Sequence, residues 1–285
     1  MAIIDHLVGH YGLGHATHAV IGGDSAGGQA VYLHVDAIRA RLPAEAHVVG
    51  VPDSGFFRPV SYYGSGLEWL FGAMNSSFSL NTECLTDHKS AKDMFKCIYA
   101  ETAVAYVQTP LFILQSQYDP AQPMDSHDPT FVTAYGHNLL STLLATAIDS
   151  RPRNGAYIYM CVCVCVCVWR NIYMNVMHIC IIRWKEAESA VDVLLSFSLS
   201  LSIYNLSSSS LPYTAAVLYS CYQHCGGWEI IVNATTATHA LQAFFTGTTS
   251  QRVWLQNASY PCVECCRQET VDVGGIGRVG LPSTK

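Results

Sequence analysis

Residues 19–28 read Ala19-Val20-Ile21-Gly22-Gly23-Asp24-Ser25-Ala26-Gly27-Gly28, a β-prone run that ends in glycines with a serine at its tip. A helix-compatible stretch, Gln29 to Arg41, follows. This is the strand–turn–helix context that a Gly-x-Ser-x-Gly nucleophile elbow needs. Gly23 and Gly27 lack a Cβ, so the backbone can turn sharply and the strand and helix can approach closely. The turn lifts Ser25 Oγ above the sheet edge and aims the Ala26 N–H at the place where an oxyanion would form. The bland reading, a glycine-rich turn and nothing more, is weakened by the flanks on both sides.

Other segments alternate in the same way. His47-Val48-Val49-Gly50-Val51 is a second β-prone run, closed by Pro52-Asp53-Ser54-Gly55. Pro110 to Ser116 is a third and ends at Tyr118-Asp119-Pro120. Residues 1–18 read as an amphipathic helix with Ile3, Ile4, Leu7 and Val8 on its apolar face, and residues 58–108 as helix and loop. Residues 131–149 read as a helix, with Leu139, Leu140, Leu143 and Leu144 at helical spacing. Strands alternating with helices predict an α/β fold with a mainly parallel sheet, whose strand C-termini carry the chemistry.

Composition bounds the rest. The chain has 285 residues, half of them hydrophobic, enough for one large α/β domain or two small ones. Its net charge of −6, without a basic tract, argues against nucleic acid as a partner. Met1 to Leu7 lacks the features of a signal peptide. Twelve cysteines and the sequons at Asn75, Asn233 and Asn257 nevertheless suit a secreted, disulfide-bonded glycoprotein. That conflict predicts an N-terminus lying upstream of Met1.

Residues 157–215 break the pattern. Cys-Val repeats from Cys161 to Val168, flanked by Tyr-Ile and followed by Ser-Leu alternation from Ser198 to Ser202. A half-buried strand does not require identical pairs four times over, and the cysteine spacing fits no usual zinc pattern. The apolar run is too short for a membrane span, and Arg170 interrupts it. The genetic code accounts for all three repeats, since alternating TG, TA and TC read in triplets give Cys-Val, Tyr-Ile and Ser-Leu. We therefore read 157–215 as a retained intron or gene-model insert, between hydrolase portions at 1–156 and 216–285. Setting it aside removes Cys161, Cys163, Cys165, Cys167, Cys180, His178 and the sequon at Asn205 from functional consideration.

What remains holds Ser25, Asp119 and His224 in the chain order of the α/β-hydrolase triad. Asp119 follows an apolar run at the loop end where a sheet presents an orienting acid. His224 lies in Ser220-Cys221-Tyr222-Gln223-His224-Cys225, just after a short β-prone run. The chemistry requires Ser25 Oγ to give its proton to His224 while Asp119 orients the imidazole and stabilises its cation. Spacing alone leaves rivals open: His34, His127, His137 and His239 for the base, and Asp53 and Asp125 for the acid. Asp53 in Pro-Asp-Ser-Gly reads as a turn residue. Trp228 reads either as a pocket wall or as core.

These residues resemble the pectin acetylesterase/Notum family of α/β-hydrolase-fold carboxylesterases. The resemblance rests on Gly23 to Gly28 with His34-Val35-Asp36, on Leu42-Pro43, and on Pro52-Asp53-Ser54-Gly55-Phe56-Phe57. It continues in Cys84 with Cys97, in Thr109 through Gln122, in Ser220 to Cys225, and in Tyr260-Pro261-Cys262-Val263-Glu264-Cys265. It implies an α/β-hydrolase fold, with Ser25 as nucleophile, Asp119 as acid, His224 as base and Ala26 as oxyanion donor. No metal or organic cofactor is implied. The substrates implied are O-acylated polysaccharide, acetyl esters first, or acylated protein.

The resemblance also implies a Cys84–Cys97 pair, and leaves the pairing of Cys221, Cys225, Cys262, Cys265 and Cys266 open. Seven cysteines outside the insert is an odd number, which fits an upstream partner. A zinc site from Cys262, Cys265 and His224 is the competing reading of that cluster. Two departures stand out. Asp24 sits where family members carry Cys or another small residue. The Gly-Gly-Trp-type segment that supplies the second oxyanion donor would lie upstream, and loss of one donor costs about 10²–10³ in turnover. The chain as written would then be an inactive fragment or a secreted, non-enzymatic binding remnant. Neither reading calls for a membrane span, and the oligomeric state stays open.

Overall fold

The computed structural model describes residues 1–59, 61–90, 92–122, 128–149 and 214–268, and for 61–65 the backbone alone. The chain runs α1 (Ala2–His10), β1 (His18–Asp24), α2 (Ala26–Arg39), β2 (His47–Asp53), α3 (Ser61–Ala73), α4 (Thr82–Asp87) and α5 (Ala100–Ala103). It continues with β3 (Phe112–Ser116), α6 (Pro129–Leu143), β4 (Ala215–Tyr219), β5 (Ile231–Val232), β6 (Thr235–Thr236), α7 (Ala237–Phe245) and β7 (Val253–Leu255).

Five strands form one sheet in the order β1-β2-β3-β4-β7, every pair parallel. Continuous apolar strands are the reason. Phe112, Ile113 and Leu114 of β3 are fully buried, as are Ala215, Ala216 and Leu218 of β4. Strands covered on both faces are the parallel, helix-flanked kind. α2 packs on β1 and β2, sinking Val31, Val35 and Ile38 into the core. Phe244 of α7 lies 5.7 Å from Phe112 of β3, ring centre to ring centre.

Local chemistry sets the helix starts. Asp128 accepts from the Thr130 N–H with Pro129 in the first turn of α6, and Asn81 accepts from the Glu83 and Cys84 N–H groups at the start of α4. Asp36 of α2 takes the N–H groups of Gln108 and Thr109 and the Thr109 hydroxyl, at 2.6–2.8 Å. That carboxylate fixes the entry to β3.

The alternating pattern is therefore the observed one, with five differences of detail. The first helix stops at His10, because Gly12 turns the chain through a left-handed conformation at φ 77°. Ile4 is buried while Ile3 faces solvent. β2 runs on through Pro52 to Asp53, with Pro52 opposite Gly23 of β1. β7 and α7 had no counterpart in the sequence reading. The helix over 131–149 is found as α6 followed by a π-type turn at Leu144–Asp149.

The suspected insert lies outside the described residues up to 213. Thr214 and Ala215 are described: the Thr214 hydroxyl accepts from Leu111 N–H at 3.1 Å, and Ala215 opens β4. Among the described residues no helix is long and apolar enough to cross a membrane. Asn75, Asn233 and Asn257 are all exposed.

Among the described residues, three disulfides join Cys84–Cys97, Cys221–Cys266 and Cys262–Cys265, and Cys225 keeps a free thiol. The first matches the implied pair, and a small cluster of Leu80, Ile98 and Tyr99 is built around it. Cys225, grouped with the bonded cysteines in the sequence reading, is corrected to a free thiol.

α2 and β2 approach each other closely. A Cβ on Gly28 would meet the Asp53 carbonyl oxygen at 2.4 Å. Gly28→Ala is expected to lower stability by about 1–3 kcal/mol through overpacking. Denaturant unfolding checks this, with an exposed change such as Gly66→Ala, which meets nothing within 4 Å, as control.

Candidate active site

The sheet's carboxyl edge gathers the residues of interest. β1 ends at Asp24, and Ser25 occupies the turn into α2 at φ 55°, ψ −118°. That conformation is strained for a residue with a Cβ. It persists because its surroundings hold it: Ser25 N–H donates to the Asp53 carbonyl at 2.9 Å. A Cβ on Gly23 would sit 2.5 Å from the backbone of Gly27, so a glycine is sterically required at position 23. Ala26 is the first residue of α2, and its N–H has no partner within the helix. The positive end of a helix dipole adds to it at that point.

Asp119 lies in the loop after β3 and is fully buried. Its Oδ1 accepts from Ala121 N–H at 2.9 Å and its Oδ2 from the Gln115 side-chain amide at 3.1 Å. Gln122 reaches Oδ2 at 3.5 Å and is held in turn by Tyr135. These donors satisfy the carboxyl oxygens that burial removes from water.

His224 lies in the loop after β4, its side chain 24% exposed. Nδ1 is 2.8 Å from Asp119 Oδ1, and Nε2 is 2.7 Å from Ser25 Oγ. The ionised carboxylate only accepts, so Nδ1 carries the proton and Nε2 of the neutral ring accepts from the serine. Burial alone would lower the imidazole pKa. The Asp119 hydrogen bond, with the charges of Asp119, Asp53 and Asp24, outweighs it and raises the value above 6.5. Phe57 flanks the ring, centroids 6.3 Å apart.

The three residues singled out from sequence order thus meet in one hydrogen-bonded line. The rivals do not. His239 contacts the Thr236 hydroxyl at 3.2 Å, and His34 and His137 sit on α2 and α6. His127 and Asp125 lie outside the described residues. The zinc reading of Cys262, Cys265 and His224 fails, because the two sulfurs are bonded to each other and both ring nitrogens are engaged. Among the described residues one other set has metal-ligand proximity, Cys84, His88 and Cys97 within 4.8 Å. Its sulfurs form a disulfide, so neither is a thiolate ligand.

Asp53, read as a turn residue, is buried and receives the Ser54 hydroxyl at 2.8 Å and Gly226 N–H at 3.1 Å. Gln115 and Gln122 were also missed. The only sequence signal for Asp53 was a carboxylate at the end of an apolar strand beside the nucleophile strand. Trp228 is buried in the core and donates to Asp53.

A family model described as pectinacetylesterase matches residues 1–196. Pectin acetylesterases 7 and 11 of Arabidopsis thaliana are each 31% identical over 137 residues, 46% of this chain and 34% of the relative. The matched region thus spans about a third of those relatives' length. Among solved structures, the Wnt deacylase Notum from Drosophila superposes in two crystal forms. One gives a TM-score of 0.57 at 18% identity, covering 90% of this chain and 61% of that one. The other gives 0.59 at 19%, covering 93% and 64%. At that identity the likeness carries the fold, an α/β-hydrolase-like parallel sheet. The chain belongs to the pectinacetylesterase family.

Proposed function

We propose that the protein is a serine carboxylesterase that removes acyl groups, acetyl first, from O-acylated polysaccharide. The observation that carries this is the unbroken hydrogen-bond line from Ser25 Oγ through the His224 ring to buried Asp119. Ser25 Oγ attacks the ester carbonyl as His224 Nε2 takes its proton. Asp119 stays ionised and stabilises the imidazolium. The negative oxygen of the tetrahedral intermediate is received by the Ala26 N–H at the start of α2. His224 then protonates the departing sugar hydroxyl, leaving an acyl-Ser25 ester. Water, deprotonated by the same nitrogen, hydrolyses it. Every step uses this chain's own groups and water.

The polysaccharide substrate is supported by the names of the Arabidopsis relatives. Notum's description as a Wnt deacylase makes acylated protein the second substrate class to assay. We assign the protein to the secretory pathway, because three disulfides persist in an oxidising compartment. We likewise assign 1–156 and 216–285 to a single hydrolase unit, since β3 and β4 are neighbours in one sheet.

Hydrolysis of p-nitrophenyl acetate and of acetylated pectin tests the reading. Ser25→Ala is expected to lower kcat by about 10⁶-fold and Asp119→Asn by about 10⁴-fold. Equal rates in wild type and Ser25→Ala contradict it. His224 works as a base only when neutral, and its pKa is raised, so the acid limb of kcat/KM is expected above pH 6.5. A limb below that value contradicts the assignment of the base.

A further inference from the structure

We propose that Asp53 and Ser54 are positioning residues, a polar latch that holds the His224 loop over the nucleophile. This rests on the esterase reading only for its catalytic consequence. Ser54 Oγ accepts from Cys225 N–H at 2.9 Å and donates to Asp53 Oδ1 at 2.8 Å. Asp53 Oδ2 accepts from Gly226 N–H at 3.1 Å, and the Trp228 side chain donates to the same carboxylate. Three successive anchor points, residues 225, 226 and 228, are therefore fastened immediately after the histidine. The main chain of Asp53 also receives Ser25 N–H. One residue thus ties the nucleophile turn with its carbonyl and the base loop with its side chain.

The backbone says the same. Ser25, Ser54 and Cys225 have φ of 55°, 50° and 62°. Such conformations are strained for residues with a Cβ and need surroundings that enforce them. The hydrogen bonds among these three turns are the enforcement.

The latch is a buried acid in acidic company. Asp24 ends β1, Asp119 follows β3, Tyr219 ends β4, and His224 and Cys225 lie in the latched loop. Desolvation, with the Asp24 charge, pushes the Asp53 pKa up to about 7 against the pull of its hydrogen bonds to Ser54, Gly226 and Trp228. The folded protein keeps a proton that the unfolded chain releases near 3.8, so Asp53's contribution to stability falls as pH rises from there through about 7. Its charge also helps to hold the His224 pKa up.

Hydrogen exchange and a histidine NMR titration test the latch without requiring turnover. Ser54→Ala is expected to speed exchange of the Cys225 amide about tenfold, the loss of one ordinary hydrogen bond, with β1–β4 amides unchanged. Asp53→Asn keeps the shape but removes the charge: the His224 midpoint moves to lower pH. Asp24→Asn is the control, lowering that midpoint without altering Cys225 or Gly226 exchange. Where hydrolysis is measurable, Ser54→Ala lowers kcat about 10²-fold, as expected for a misplaced base, with KM unchanged. Wild-type exchange at Cys225 in Ser54→Ala overturns the proposal, as does an unmoved His224 midpoint in Asp53→Asn. An equal rise across all sheet amides also overturns it, because it makes the role purely structural. Should Asp53→Asn not fold, the Ser54→Ala exchange decides alone. The esterase reading itself fails separately, at Ser25→Ala.

Discussion

Everything in this molecule depends on the parallel register of its first four strands. Asp24 pairs with Asp53, Asp53 with Leu114, and Ser116 with Tyr219, so the strands end along one edge. Each loop that leaves this edge carries one polar group of the site: Ser25 after β1, Ser54 after β2, Asp119 after β3, His224 after β4. A slip of one residue in any pair would turn its side chains to the opposite face. The polar end of β3 opposes that slip, because Gln115 donates to Asp119 Oδ2 at 3.1 Å and the Ser116 hydroxyl donates to the Cys221 carbonyl at 2.6 Å, bonds that a shifted register would break.

The cost of this arrangement is buried charge. Two carboxyl groups, Asp53 and Asp119, are buried beneath the site with almost no solvent. Isolated, each would be strongly destabilising. They are tolerated because donors surround them: Gln115, Ala121, Gln122 and His224 on one, Ser54, Gly226 and Trp228 on the other. The two sets differ in what they achieve. Asp119 meets the reacting imidazole directly, whereas Asp53 holds the backbone that carries it.

How far the sequence disclosed this follows from the range of each interaction. The elbow was legible because Gly23, Ser25 and Gly27 act on one another within a single turn. Asp119 and His224 are 105 residues apart, and His224 and Ser25 are 199 apart. No local pattern links them; chain order and family resemblance did. Asp53's tie to the base loop was hidden for the same reason, since its partner Gly226 lies 173 residues away while Pro-Asp-Ser-Gly reads locally as a turn. β7 escaped because a three-residue strand with one buried side chain, Trp254, has no period to detect. The cysteine pairing was open on spacing alone, and Cys225 proved to be the thiol left over.

The central claim is that Ser25 is a nucleophile activated by His224. Its most direct measurement is labelling of the folded protein with a fluorophosphonate, followed by mass-spectrometric identification of the modified residue. The account predicts a single adduct on Ser25, formed at a rate that rises with pH as His224 loses its proton, and absent from His224→Ala. A folded protein that carries no adduct on Ser25, or that labels equally well without His224, would contradict it.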